Sequence, residues 1–173
     1  MAQIVWLALG YHVPVNPSKN RVYVWRKLKE FGAGYFRPGV AIMPKSPQGL
    51  AQFRALAAKI REMGGDAALA ELKYLDDVDE ERTVDWFGRQ SEEEYLELLR
   101  DCAEVTAKLS LFPIAERDIF MKKMGKRYTK VRSRDFFGSR RRGEVVRNLD
   151  GLLGDMAYAT DELRAQLAKI FSN

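Results

Sequence analysis

Residues 3–14, QIVWLALGYHVP, are apolar on both alternating sets: Ile4, Trp6 and Ala8 on one, Val5, Leu7 and Leu9 on the other. Successive side chains of a strand point to opposite faces. A strand of this kind therefore needs cover on both sides. The segment from Gln3 to Val13 is predicted to be a central strand, with a neighbour along each edge.

The next residues supply those neighbours. Pro14 and Asn16-Pro17-Ser18 end the strand and open a helix, with Ser18 as the expected N-cap. Val24, Trp25, Leu28 and Phe31 are assigned to the buried face of that helix, and Lys19, Tyr23, Arg26 and Lys27 to the rest of its surface. Gly32 and Gly34 suit the left-handed residues that stop a helix. Gly34–Arg37 and Val40–Met43 read as short strands, and Pro38-Gly39 between them marks a bulge or tight turn. Ser46-Pro47 is an N-cap followed by proline at the first helical position. Leu50, Phe53, Leu56, Ala57 and Ile60 stripe the second helix, and Gly64-Gly65 closes it. Ala67–Leu75 is the last strand. With both helices on one sheet face, this β-α-β-β-α-β order is the ferredoxin-like split βαβ unit.

Asp76–Glu81 reads as an exposed acidic loop. Ser91, three residues before Glu94, forms a capping box and predicts a helix start there. Tyr95, Leu98, Leu99, Cys102, Val105 and Leu109 continue that helix as an apolar stripe. Pro113 breaks the pattern. Phe120, Met121, Met124, Tyr128 and Val131 point a second helix inward. Arg134–Gly143 is a corner, and Glu144–Phe171 keeps helical spacing through Val146, Leu149, Leu153, Met156, Leu163, Leu167 and Phe171, with a restart at Thr160. The expected class is α+β: a ferredoxin-like sandwich over residues 1–75 and a helical extension over 76–173, packed on it as one structural unit.

Composition bounds the chemistry. The chain has 173 residues, enough for a real core. Its longest apolar run, Ile4–Leu9, is strand-sized and too short for a membrane span or a signal-peptide core. A cytoplasmic location is expected. One cysteine, Cys102, and one histidine, His12, leave no disulfide framework and no multi-Cys or multi-His zinc site.

Charge is blocked along the chain. Ser18–Arg61 holds ten basic residues and one acidic; Glu62–Glu104 holds four basic and fifteen acidic; Arg117–Arg147 holds twelve basic and three acidic. Such blocks suit a polyanion partner, self-association through opposite patches, or internal neutralisation. All three stay open on charge alone.

The stretch WLALGYHVPVNPSKNRVYVWRKLKEFGAGYFRPGVAIMP resembles the N-terminal domain of ChrB, the chromate-resistance regulator family. The order is apolar strand, "VP" loop, R-V-x-VWR-x-LK-x-x-GA, then a kinked strand ending in proline. ALAELKYLDD, the EEEY helix and RDFFG match the same domain downstream. More distantly, the first 75 residues are similar to the Cas2-like domain of PaaX-type repressors and to small ferredoxin-like CRISPR-associated proteins. The resemblance implies a DNA-binding module of a transcription regulator, without enzymatic activity or cofactor. Full-length family members carry a second, C-terminal chromate-resistance domain, which this stretch lacks. The expected partners are double-stranded DNA, a second copy in a homodimer, and a separate protein bearing that domain.

Two groups of residues are candidates for phosphate contact. Arg21, Arg26, Lys27 and Lys29 lie on the first helix, with Arg37 at the kink. Lys122, Lys123, Lys126, Arg127, Arg140, Arg141 and Arg142 lie in the densest basic run, interleaved with Tyr128, Phe136 and Phe137. For the helix the alternative is a solvated back; for the two phenylalanines it is core packing in the corner. CRISPR-associated relatives that cut nucleic acid carry an aspartate at the end of the first strand. No carboxylate stands between Gly10 and Asn16 here, so no metal site is expected. Cys102, on an apolar stripe, is assigned to the core. The remaining readings are an interaction or oligomerisation domain without DNA binding, and a metal-dependent nuclease.

Overall fold

The structure, a computed structural model, describes residues 3–108, 111, 113–155 and 161–172. Among them lie a four-stranded antiparallel sheet and six helices, an α+β architecture that is mostly helical. Leu109, Met156 and Thr160, assigned above to helical stripes or a restart, lie outside the described residues. The chain divides into two compact units, Met1–Val84 and Asp85–Asn173.

In the first unit β1 (Trp6–His12) is followed by α1 (Ser18–Phe31), β2 (Gly34–Arg37), β3 (Val40–Pro44), α2 (Pro47–Glu62) and β4 (Asp66–Leu72). The sheet order is β2-β3-β1-β4. β1 is central, as its two-sided apolarity requires: Leu7 stands opposite Met43 on β3 and Glu71 on β4, and all of Trp6 to Leu9 is buried. α2 covers the face that holds Leu7 and Met43, where a side chain at Gly49 would run into Met43 and touch Leu7. Phe53, Leu56, Ala57 and Ile60 of α2 are buried, and α1 packs beside it through Val24 and Leu28. On the opposite face the Trp6 ring meets Tyr74 edge-on at 6.0 Å. Its indole N–H donates to Glu80 Oε1 at 3.0 Å.

The turn chemistry explains the punctuation. Gly32 caps α1 in the left-handed conformation (φ 73°). Pro38-Gly39 makes the turn between β2 and β3, with Gly39 at φ 75° and a register shift between Tyr35 and Arg37. The Gly39 carbonyl accepts from Tyr11 N–H at 2.7 Å, which ties the turn to β1. Ser46 Oγ caps α2 by accepting from Gly49 N–H, with Pro47 at the first helical position.

Five expectations are corrected here. Trp25 is 53% exposed, not buried, because α1 turns the Val24–Leu28 ridge inward and Trp25 lies a helical step away from it. Pro17 rather than Ser18 precedes α1 as its cap, and Ser18 makes no capping hydrogen bond. Gly34 does not end the helix but opens β2. The acidic stretch is no loop: α3 starts at Asp77 and runs unbroken to Lys108, with Asp77, Asp79 and Glu80 in its first turn. Ser91 is buried inside that helix, so the apparent capping box caps nothing.

The second unit holds the rest of α3, α4 (Ile114–Arg134), α5 (Arg141–Asp155) and α6 (Asp161–Ser172). Tyr95, Leu98, Cys102, Met121, Met124, Tyr128, Val145, Leu149 and Leu167 form one buried cluster. Gly125 on α4 lets α6 close in, since a side chain there would meet Leu167.

Candidate nucleic-acid interface

On α1 the inward ridge leaves an arc of Val22, Trp25, Arg26 and Lys29 facing solvent, flanked by Arg21 and Tyr23. All six are exposed. The Lys29 ammonium sits 5.5 Å from the Trp25 ring centroid, a cation–π arrangement. Lys27 is set apart, paired with Glu30 at 2.9 Å. Arg37, at the end of β2, stacks on Phe36 at 5.2 Å and is exposed. The helix thus presents cations and aromatic rings on one solvent face. The charge pattern was legible in the sequence. The aromatic half was not, because Trp25 and Tyr23 were read as core or left without a role; the i,i+4 spacing of Arg21, Trp25 and Lys29 was the signal.

The second basic group is partly paired. Arg127 reaches Asp101 and, at 4.0 Å, Glu97, both on α3. Arg134 pairs with Glu94. Arg141 lies 3.5 Å from Glu144, and Arg142 donates to Tyr128 Oη at 3.4 Å. Asp135 organises the corner by accepting from Ser139 N–H and from Tyr95 Oη–H. Those contacts hold the Tyr95 hydroxyl well above its ordinary range, burial first and the Asp135 charge second. Lys122, Lys123, Lys126 and Arg140 stay exposed. Phe136 and Phe137 do not enter the buried cluster but meet Phe87 edge-on, at 5.7 and 6.1 Å. Cys102 is fully buried, and burial pushes its thiol up to about 11. His12 ends β1 opposite Asp66 and is exposed. Among the described residues no helix is long and apolar enough to cross a membrane.

The first unit is thus an α+β sheet domain that displays a basic, aromatic-bearing helix. The chain belongs to the family described as Protein ChrB, N-terminal, whose pattern matches residues 21–169. It is 27% identical over 135 residues to Protein ChrB of Cupriavidus metallidurans, covering 78% of this chain and 41% of that protein. The chain therefore spans less than half the length of that curated relative. No solved structure matches it.

Proposed function

We propose that the chain is a non-enzymatic DNA-binding module of a chromate-resistance regulator, and that α1 delivers it to the duplex. The observation that carries this reading is the solvent arc of α1, where Arg26, Lys29 and the flanking Arg21 have no acidic partner among the described residues. Unshielded cations on a rigid helix give sequence-independent affinity for phosphates. Arg37, at the end of β2, adds a further exposed cation stacked on Phe36. Family membership supports a regulator role. The ferredoxin-like reading of the first unit is supported by its β-α-β-β-α-β order and β2-β3-β1-β4 sheet.

The test is a salt titration of binding to a labelled duplex from the neighbouring promoter. Affinity is expected to fall linearly in log–log terms with a slope of about −0.9 per phosphate contact. A chain that shows no duplex binding at low salt would sink the proposal. A second reading, a protein-interaction domain, is favoured by the exposed Val22 and Trp25 on the same arc. It predicts that Trp25→Ala abolishes partner capture while duplex binding is absent from the start.

A further inference from the structure

The sheet has two edges, and they are treated very differently. β2 is four residues long, carries a bulge between Tyr35 and Arg37, and runs into Pro38. Short strands, bulges and prolines are the usual devices that blunt an edge. β4 has none of them. It pairs with β1 without a break over seven residues, Asp66 to Leu72, and contains no proline and no lysine. Asp66, Ala68, Ala70 and Glu71 are exposed, while Ala67 is buried and Leu69 and Leu72 are half-buried.

The direction of its free groups follows from the ladder. Tyr11 N–H bonds toward Gly39, and Val5 C=O accepts from Lys45 N–H, so the odd residues of β1 bond on the β3 side. The even ones, Trp6 to His12, bond toward β4 and meet Leu72, Ala70, Ala68 and Asp66. Ala67, Leu69 and Glu71 therefore aim their N–H and C=O groups outward. Among these the Ala67 carbonyl has a partner, Arg61 Nη2 at 2.6 Å; the backbone groups of Leu69 and Glu71 have none among the described residues.

We propose that the outer edge of β4 pairs antiparallel with β4 of a second copy, about a twofold axis at Leu69, joining two sheets into one. The sequence DAALAEL is compatible with itself in that register. Ala68 meets Ala70, Leu69 meets Leu69, and Ala67 meets Glu71. No like charges are opposed. Glu71 of each copy also arrives beside the Ala67 whose carbonyl the other copy's Arg61 holds. Glu71, which pairs with Lys45 at 2.5 Å within its own chain, is thus also brought to a guanidinium at both ends of the seam. Ala68 and Ala70 are small enough for the backbones to meet, and the Arg61 guanidinium swings from the Ala67 carbonyl toward the other copy's Glu71 as the strands pair.

The test uses the full chain. Leu69→Cys places two thiols across a hydrogen-bonded antiparallel pair, about 5.5 Å between Cα atoms, within disulfide reach. Cys102 is the one natural cysteine and is buried, so it does not compete. Mild oxidation is expected to yield a disulfide-linked dimer from Leu69→Cys and none from wild type. In sedimentation equilibrium, Glu71→Arg is expected to raise the dimer dissociation constant at least about tenfold, and adding Arg61→Glu to recover most of it. Leu69→Pro removes only an outward N–H, which an edge strand tolerates, and is expected to leave a folded monomer by circular dichroism. A wild-type chain that stays monomeric at high concentration, with no Leu69→Cys crosslink, overturns the proposal and leaves the edge to a strand of a different protein. A dimer unaffected by Glu71→Arg and Leu69→Pro overturns it equally, by placing the contact elsewhere.

Discussion

Trp25 and Leu28 lie three residues apart on α1, yet they have opposite fates. Leu28 is 1% exposed and closes on α2, while Trp25 faces solvent under Lys29. Leu28→Ala is therefore expected to cost about 2–5 kcal/mol, and Trp25→Ala no more than about 0.5 kcal/mol. Urea unfolding of the two variants checks the pair, and a large loss at Trp25 would mean that α1 is rotated on the sheet. Cys102 gives a residue-scale test by pH. Its thiol ordinarily ionises near 9.0 and in the folded chain near 11. Between those values the unfolded chain has released the proton and the folded chain has not, so stability falls as pH rises. Wild type is expected to lose more stability than Cys102→Ala between pH 8 and pH 10. Equal losses would show that the thiol is not buried.

At the scale of elements, β1, α2 and the Pro38-Gly39 turn were readable because their signals are local and redundant. Two-sided apolarity, an N-cap followed by proline, and a Pro-Gly pair each restrict the backbone directly. α3 was misread at its start because Ser91-x-x-Glu94 carries the side chains of a capping box without its backbone. The sequence signal for a cap cannot say whether the preceding turns are already helical. Here Asp76 accepts from Val78 N–H at 2.9 Å, and three acids in the first turn complement the helix dipole. Asp76→Ala is expected to cost about 0.5–2 kcal/mol as a lost cap and to fray the first turn. Ser91→Ala should leave the helix start intact. Amide exchange at residues 78–81 separates the two. Glu94, the other half of the false box, has its use across the unit, on Arg134.

At the scale of the whole molecule, the sequence marked basic and acidic blocks but not which cations were already answered. That depends on contacts between residues far apart in the chain, such as Arg127 with Asp101 and Arg134 with Glu94. Two pairs of basic residues have different expected phenotypes. Arg26 and Lys29 are exposed and have no carboxylate partner among the described residues, so Arg26→Gln with Lys29→Gln should leave unfolding within about 0.5 kcal/mol of wild type. Duplex affinity should fall, with the salt slope reduced by about 0.9 for each phosphate contact removed. Arg127→Gln with Arg134→Gln should do the reverse. It removes the guanidinium contact of Asp101 and that of Glu94, which are half-buried, and lowers the melting temperature while leaving the salt slope unchanged. Each exposed-end pair is weak alone, but these two clamp the same helix pair at separate points. Melting curves and duplex titrations on both double variants decide the assignment. If the α4 variant lost salt slope and the α1 variant did not, the DNA-contacting face would lie on the second unit and α1 would be left to bind protein.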